Sequence, residues 1–107
     1  MPDLFTPGAN PDLPLPAYGS LSASDESALY AADKPRWQQY VAQGYAMRFR
    51  ARGLPRAMVV TQWCSVLSKE LREAIWALLN VGERAEMTAA VDDYRQKQKE
   101  LEQTANR

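Results

Sequence analysis

Four arginines fall within nine residues, Arg48-Phe49-Arg50-Ala51-Arg52-Gly53-Leu54-Pro55-Arg56, in a chain of 107 residues whose 13 basic and 13 acidic side chains cancel. A guanidinium pairs with phosphate or carboxylate through a planar fork of donors, so this stretch is the first place to look for chemistry. Extending it back to Lys34 adds Lys34 and Arg36, no acid, and the rings Trp37, Tyr40 and Tyr45, which with Phe49 interleave the cations. Exposed rings stack on unpaired bases, which makes Arg36, Arg48, Arg50, Arg52 and Arg56 the candidate contacts of a nucleic-acid-binding module. Two features oppose that use. Trp37, Tyr40 and Tyr45 share a helical face with Val41, which directs them inward. A rotation of about 100° per residue also sets Arg48 and Arg52 on one face and Arg50 nearly opposite, splitting the cations. Arginines in a last helical turn complement the helix dipole by about 0.3 to 1 kcal/mol each, a purely structural reason for them.

The chain lacks the groups most enzymes need. It has no histidine and one cysteine, Cys64, so neither an internal disulfide nor the usual zinc site can form, and the commonest general base is missing. Cys64 sits between Val60 and Leu67 in an apolar seam, where a thiol behaves as a small core side chain. No G-x-S-x-G, S-x-x-K or phosphate-cradling glycine loop occurs. Asp92 and Asp93 are adjacent and face apart on a helix. Glu70 and Glu73 share a face but lack the histidine of a Glu-x-x-His metal site. The expectation is a noncatalytic protein without cofactor or metal.

The elements that would position these residues are helical. Prolines 2, 7, 11, 14 and 16 crowd the first sixteen residues and oppose helix there, so residues 1–21 are expected to be a flexible, extended, proline-rich arm. Its Pro11 and Pro14 have P-x-x-P spacing without the basic neighbour that orients such ligands. The arm lacks the charge and apolar run of a signal sequence or anchor, and the reduced cysteine fits a cytoplasmic location.

Residues 22–107 are expected to form one small, compact, all-α bundle of four or five helices. Ser22 or Ser24 caps the first, with Asp25 and Glu26 in its opening turn. A second runs from about Pro35 to Arg52, with Gly44 in its apolar stripe admitting a neighbouring backbone and Gly53 supplying a left-handed stop. A third begins at Pro55 and carries the seam Val60, Cys64, Leu67, Leu71, Ala74 and Leu78, flanked by Val59, Trp63, Val66, Ile75 and Leu79. Ser68 followed by Glu70 reads as a fresh start within it, although the seam keeps phase and also fits one helix from 55 to 80. Asn80, Val81 and Gly82 are expected to stop the chain by the left-handed route before a last helix with apolar positions Met87, Val91, Tyr94 and Leu101. An alternative strand over Met47–Arg52 would have only the run after Ala57 as partner.

This pattern points to a protein-interaction module, an adaptor, assembly factor or regulator that binds a protein partner or itself through its helical surface and its arm. Trp63 reads as core. Trp76 lies off the main seam, and with Tyr94 and Leu101 on the thinning last stripe it forms the candidate partner-binding set. The rival is the nucleic-acid reading of Arg36 to Arg56, with the helices around Ser68 as a helix-turn-helix. That motif is weak, because KELREAIWALL carries few base-reading side chains. The acidic residues Asp3, Asp12, Asp25, Glu26 and Asp33 precede the basic stretch without a basic residue among them, so the arm is also positioned to screen it.

Overall fold

The computed structural model describes residues 15–105. Five helices follow one another: α1 Ala23–Ala32, α2 Lys34–Arg50, α3 Gly53–Ser65, α4 Lys69–Leu78 and α5 Val81–Ala105. The protein is all-helical, and no strand occurs among the described residues, Met47–Arg52 included. α2 is the central element: it packs against α1, α3 and α4, while α5 lies against α3.

Short side chains delimit the helices by accepting their first free N–H groups. Ser22 Oγ accepts from the Asp25 amide at α1, and Ser68 Oγ from the Leu71 amide at α4. Asp33 closes α1 by donating its amide to Leu29 O and opens α2 by accepting from the Arg36 amide at 3.2 Å. The break at Ser68 is therefore real. Val66 becomes the C-cap of α3 and is exposed, which removes it from the apolar flank expected for it.

The other expected stop forms differently. Gly82 does not take a positive φ. Instead Asn80 Oδ1 accepts from the Glu83 amide at 2.8 Å, and Glu83 Oε1 accepts from the Asn80 amide at 2.9 Å. This reciprocal capping box starts α5 at Val81 with no left-handed residue needed, because the chain leaves α4 through an extended Leu79.

The core comprises Leu29 of α1, Tyr40, Val41, Ala42, Ala46 and Phe49 of α2, Val59 and Val60 of α3, Leu71 and Ile75 of α4, Leu79, and Met87 and Val91 of α5. Each large side chain fully withdrawn from water, such as Phe49 or Ile75, stabilises the fold by about 1.5–3 kcal/mol. Cys64, Trp63 and Leu67 are only partly buried and pack at its edge. α5 is about 37 Å long by its residue count, and every residue from Arg95 to Ala105 is exposed.

Residues 15–21 run along α2. Ser20 donates to Ala17 O, and Gly19 adopts φ 87° as the third residue of the resulting type II turn. The turn is fastened by Tyr40, whose buried ring presents its hydroxyl to the amides of Gly19 and Leu21 at 3.0 and 3.3 Å. Gln43 Nε2 donates to Pro16 O. Tyr18 lays its ring over Gly44, where a Cβ would collide with it. Gly44 thus makes room for a side chain, not for the neighbouring backbone its sequence position suggests. Of the arm expected over residues 1–21, the P-x-x-P pair and Asp3 and Asp12 lie outside the described residues.

Candidate functional site

A cleft between α3, α4 and the start of α5 gathers two tryptophans and most of a ring of charge. Trp63, Lys69, Arg72, Glu73, Trp76, Ala77 and Arg84 line about 490 Å³ of open space. That volume lies within the range of about 300–1,000 Å³ over which pockets hold small ligands. The helical repeat explains the gathering: Lys69, Arg72, Glu73 and Trp76 fall three and four residues apart on α4, so they share one face. Trp63 comes up from α3, its ring 6.4 Å from that of Trp76 and tilted by 47°. Arg84, in the first turn of α5, donates Nε to Trp76 O at 3.0 Å and lays its guanidinium over the Trp76 ring at 5.6 Å.

The lining has three cations and one carboxylate. Glu73 meets Lys69 at 3.9 Å with both side chains mostly exposed, a pair of little strength. Arg72 is partly covered, and its Nε is the buried side-chain nitrogen without a hydrogen-bond partner among the described residues. An unpaired buried donor costs about 1–3 kcal/mol, so the site favours an acceptor brought to that guanidinium. Chemically, the cleft offers apolar ring surface bordered by cations.

The basic stretch 48–56 is occupied with holding the fold. Arg50 forms a two-pronged pair with Glu83, Nε to Oε2 at 2.6 Å and Nη2 to Oε1 at 3.1 Å, and also reaches Leu78 O at 2.8 Å. The hydrogen bonds from Arg50 and from the Asn80 amide hold the Glu83 carboxyl well below its usual value, at about 2. Its bond to Glu83 in turn raises the Arg50 guanidinium. Arg52 and Arg56 converge on Glu86 at 3.5 and 3.4 Å. Arg56 also donates to Phe49 O and lies 4.0 Å from the centre of the Phe49 ring.

Arg50 and Arg52 therefore both pair with acids of α5, Glu83 and Glu86 respectively, contrary to the face-splitting expected from a continuous helix. α2 ends at Arg50, and Arg52 turns to φ 61°, so the rotation of 100° per residue no longer applies to it. Arg48 goes elsewhere, donating to Tyr18 Oη and sitting over Tyr45 at 4.7 Å. Arg36 lies in the first turn of α2, partly covered and away from the others in sequence. The acidic partners of Arg50, Arg52 and Arg56 are Glu83 and Glu86 of α5.

Of the α2 rings, Tyr40 and Phe49 are buried. Trp37 is half-buried edge-on to Tyr30, and Tyr45 carries the Arg48 guanidinium. Tyr45 is partly covered and lies under Arg48, and none of the four rings is fully exposed.

The three residues expected to form a partner surface are not brought together. Trp76 is in the cleft. Tyr94 lines a separate groove of about 320 Å³ between α3 and α5, with Arg56, Ala57, Val60 and Lys97 among its neighbours. Leu101 stands 62% exposed on the outer part of α5. Sequence reasoning missed Trp63, Lys69, Arg72 and Arg84 as lining residues. The 69/72/73/76 spacing was a usable signal, whereas the approach of Arg84 depends on the turn at Asn80.

Among the described residues, no three metal-ligating side chains cluster and no helix is long and apolar enough to cross a membrane. No protein-family model matches the chain, and comparisons with curated proteins and with solved structures give no match.

Proposed function

We propose that the protein is a noncatalytic interaction module whose α3/α4/α5 cleft recognises a short segment of a protein partner, one carrying an aromatic or leucine side chain beside carboxylates. The observation that carries this reading is the pairing of Trp63 and Trp76 with an excess of cations around them. Tryptophan and arginine at the centre of a recess are the residues that dominate binding energy at protein interfaces. The surplus positive charge selects an acidic segment. A base-stacking role fits less well, because the Arg84 guanidinium already covers a face of the Trp76 ring and the chain has no net charge to attract a polyanion.

The test is a random-peptide display selection against the full chain, repeated with Trp76→Glu and Arg72→Gln. Selected sequences should combine Asp or Glu with Phe, Leu or Trp, and both variants should lose them while keeping their helical circular dichroism. A selection without acidic preference, or one indifferent to both substitutions, would refute the reading. So would salt-sensitive binding of single-stranded DNA or RNA that requires Arg72 and Arg84, which would assign the cleft to nucleic acid instead.

A further inference from the structure

We propose that the cleft has an occupant within its own chain: the segment Asp3-Leu4-Phe5, which binds in the cleft against Trp63 and Trp76 of the same molecule and competes with an outside partner. This rests on the recognition reading above and adds a means of regulating it.

Three observations converge. The first is where the described chain begins. Leu15 lines a small pocket together with Gln39 of α2 and Ala74, Ala77 and Leu78 of α4, and Ala77 also lines the tryptophan cleft. The fourteen residues before Leu15 therefore join the domain on the face of α4 that adjoins the cleft. The second is composition: MPDLFTPGANPDLP contains Asp3 and Asp12, the apolar side chains Leu4, Phe5 and Leu13, and no lysine or arginine. It carries the kind of sequence that a recess of two tryptophans and surplus cations selects. Asp3, Leu4 and Phe5 place a carboxylate directly beside a leucine and the one aromatic ring of the segment.

The third is reach. Phe5 lies ten residue steps before Leu15, enough extended chain for about 33 Å, whereas a helix with its side chains is about 10–12 Å across. Passing around α4 from the Ala74/Ala77 side to the Trp76 side uses only part of that length. The prolines in this stretch oppose a helix that would shorten it. A tether of this length presents its end at an effective concentration of the order of millimolar, so even a weak segment competes. An outside peptide then binds only the fraction of molecules whose cleft is open.

The test compares the full chain with the full chain carrying Asp3→Asn and Phe5→Ser, by amide and indole nuclear magnetic resonance. The substitutions lie outside the described residues 15–105 and replace none of the core side chains named above. The indole signals of Trp63 and Trp76 and the amides of Lys69 and Arg84 should move between the two chains, and that of Trp37, on α2, should not. The differences should be independent of protein concentration, and a synthetic peptide of residues 1–14 added to the substituted chain should restore them. That peptide should bind the substituted chain more tightly than the unsubstituted one, by about fivefold where the tethered segment is bound four-fifths of the time.

Coincident spectra would overturn the proposal, as would shifts that grow with concentration, which mark exchange between molecules. If the spectra coincide while display-selected acidic peptides still require Trp76, the cleft reading stands and the internal occupant alone is refuted. If neither peptide class binds, both fail.

Discussion

Replacing Gly44 with alanine tests the packing of the first described turn with a change of sign. In an ordinary helix interior the substitution stabilises by about 0.8–1.0 kcal/mol, because glycine loses more backbone freedom on folding. Here the added methyl would occupy the space taken by the Tyr18 ring, so the ring must leave. Tyr18 is 36% exposed, so about two-thirds of its surface is covered, and uncovering it costs about 1–2 kcal/mol. The tilted contact with Tyr40, ring centres 5.5 Å apart, adds about 0.5–1.5 kcal/mol. Gly44→Ala should therefore destabilise by about 0.5–2.5 kcal/mol net. In a Tyr18→Ala background the obstacle is gone, and the same change should stabilise by about 1 kcal/mol. The coupling between the two sites is then about 1.5–3.5 kcal/mol, at the upper end of values for touching residues. Urea unfolding of the four chains, followed by helical circular dichroism, measures it as shifts in midpoint at constant slope. A Gly44→Ala chain that is more stable than its parent in both backgrounds would show that Tyr18 does not rest on Gly44.

Three further outcomes follow from the junctions. Ser68→Ala and Asn80→Ala each remove an accepting cap and should each destabilise by about 1 kcal/mol in the same unfolding assay. Arg52, at φ 61° and ψ −169°, occupies backbone space that essentially only glycine uses, and its bond to Glu86 is long and exposed. Arg52→Gly should raise stability by about 1 kcal/mol, whereas Arg52→Ala should not. The Glu83 carboxyl is lowered in the fold to about 2 from an ordinary 4.5, so its contribution is fully present above pH of about 4.5 and is lost as pH falls toward 2. Glu83→Gln keeps an acceptor for the Asn80 amide but removes the charge, and should flatten the stability profile across that window without altering its shape at neutral pH.

The helices were legible because their signals are local. Ser22 and Ser68 each precede a turn with an acid in it, and the apolar spacing of α2 repeats over the whole element, so both could be read without any knowledge of the fold. The stop before α5 was misread because Asn-Val-Gly resembles a left-handed cap, whereas Asn80 and Glu83 satisfy each other as a capping box three residues apart. The pairing of arginines could not be read from helical rotation. It depends on where α2 ends and on α5, which lies more than thirty residues further along, coming back to meet it. The cleft was half visible: Trp76 stood out as an unplaced apolar side chain, but Trp63 was assigned to the interior because a stripe alone does not reveal which of its members lies at the rim.

The arginines and the cleft are connected through the C-terminus of α4. The last carbonyls of a helix lack the usual partner four residues on, and here two of them accept from guanidinium groups of other helices: Leu78 O from Arg50 of α2, and Trp76 O, which also accepts from the Leu79 amide, from Arg84 of α5. The negative end of the helix dipole reinforces both contacts. Arg50 grips Glu83 with the same guanidinium, and Glu83 closes the capping box that sets the first turn of α5, one residue before Arg84. The pair between Arg50 and Glu83 thus braces the turn from which Arg84 reaches Trp76. Arg50→Met would remove the grip on Glu83 and the cap on Leu78 together. It should loosen Arg84 over Trp76, and so lower the affinity of the cleft for acidic peptides from a position that does not line it. A full-affinity Arg50→Met chain would show that the cleft holds its shape without that brace.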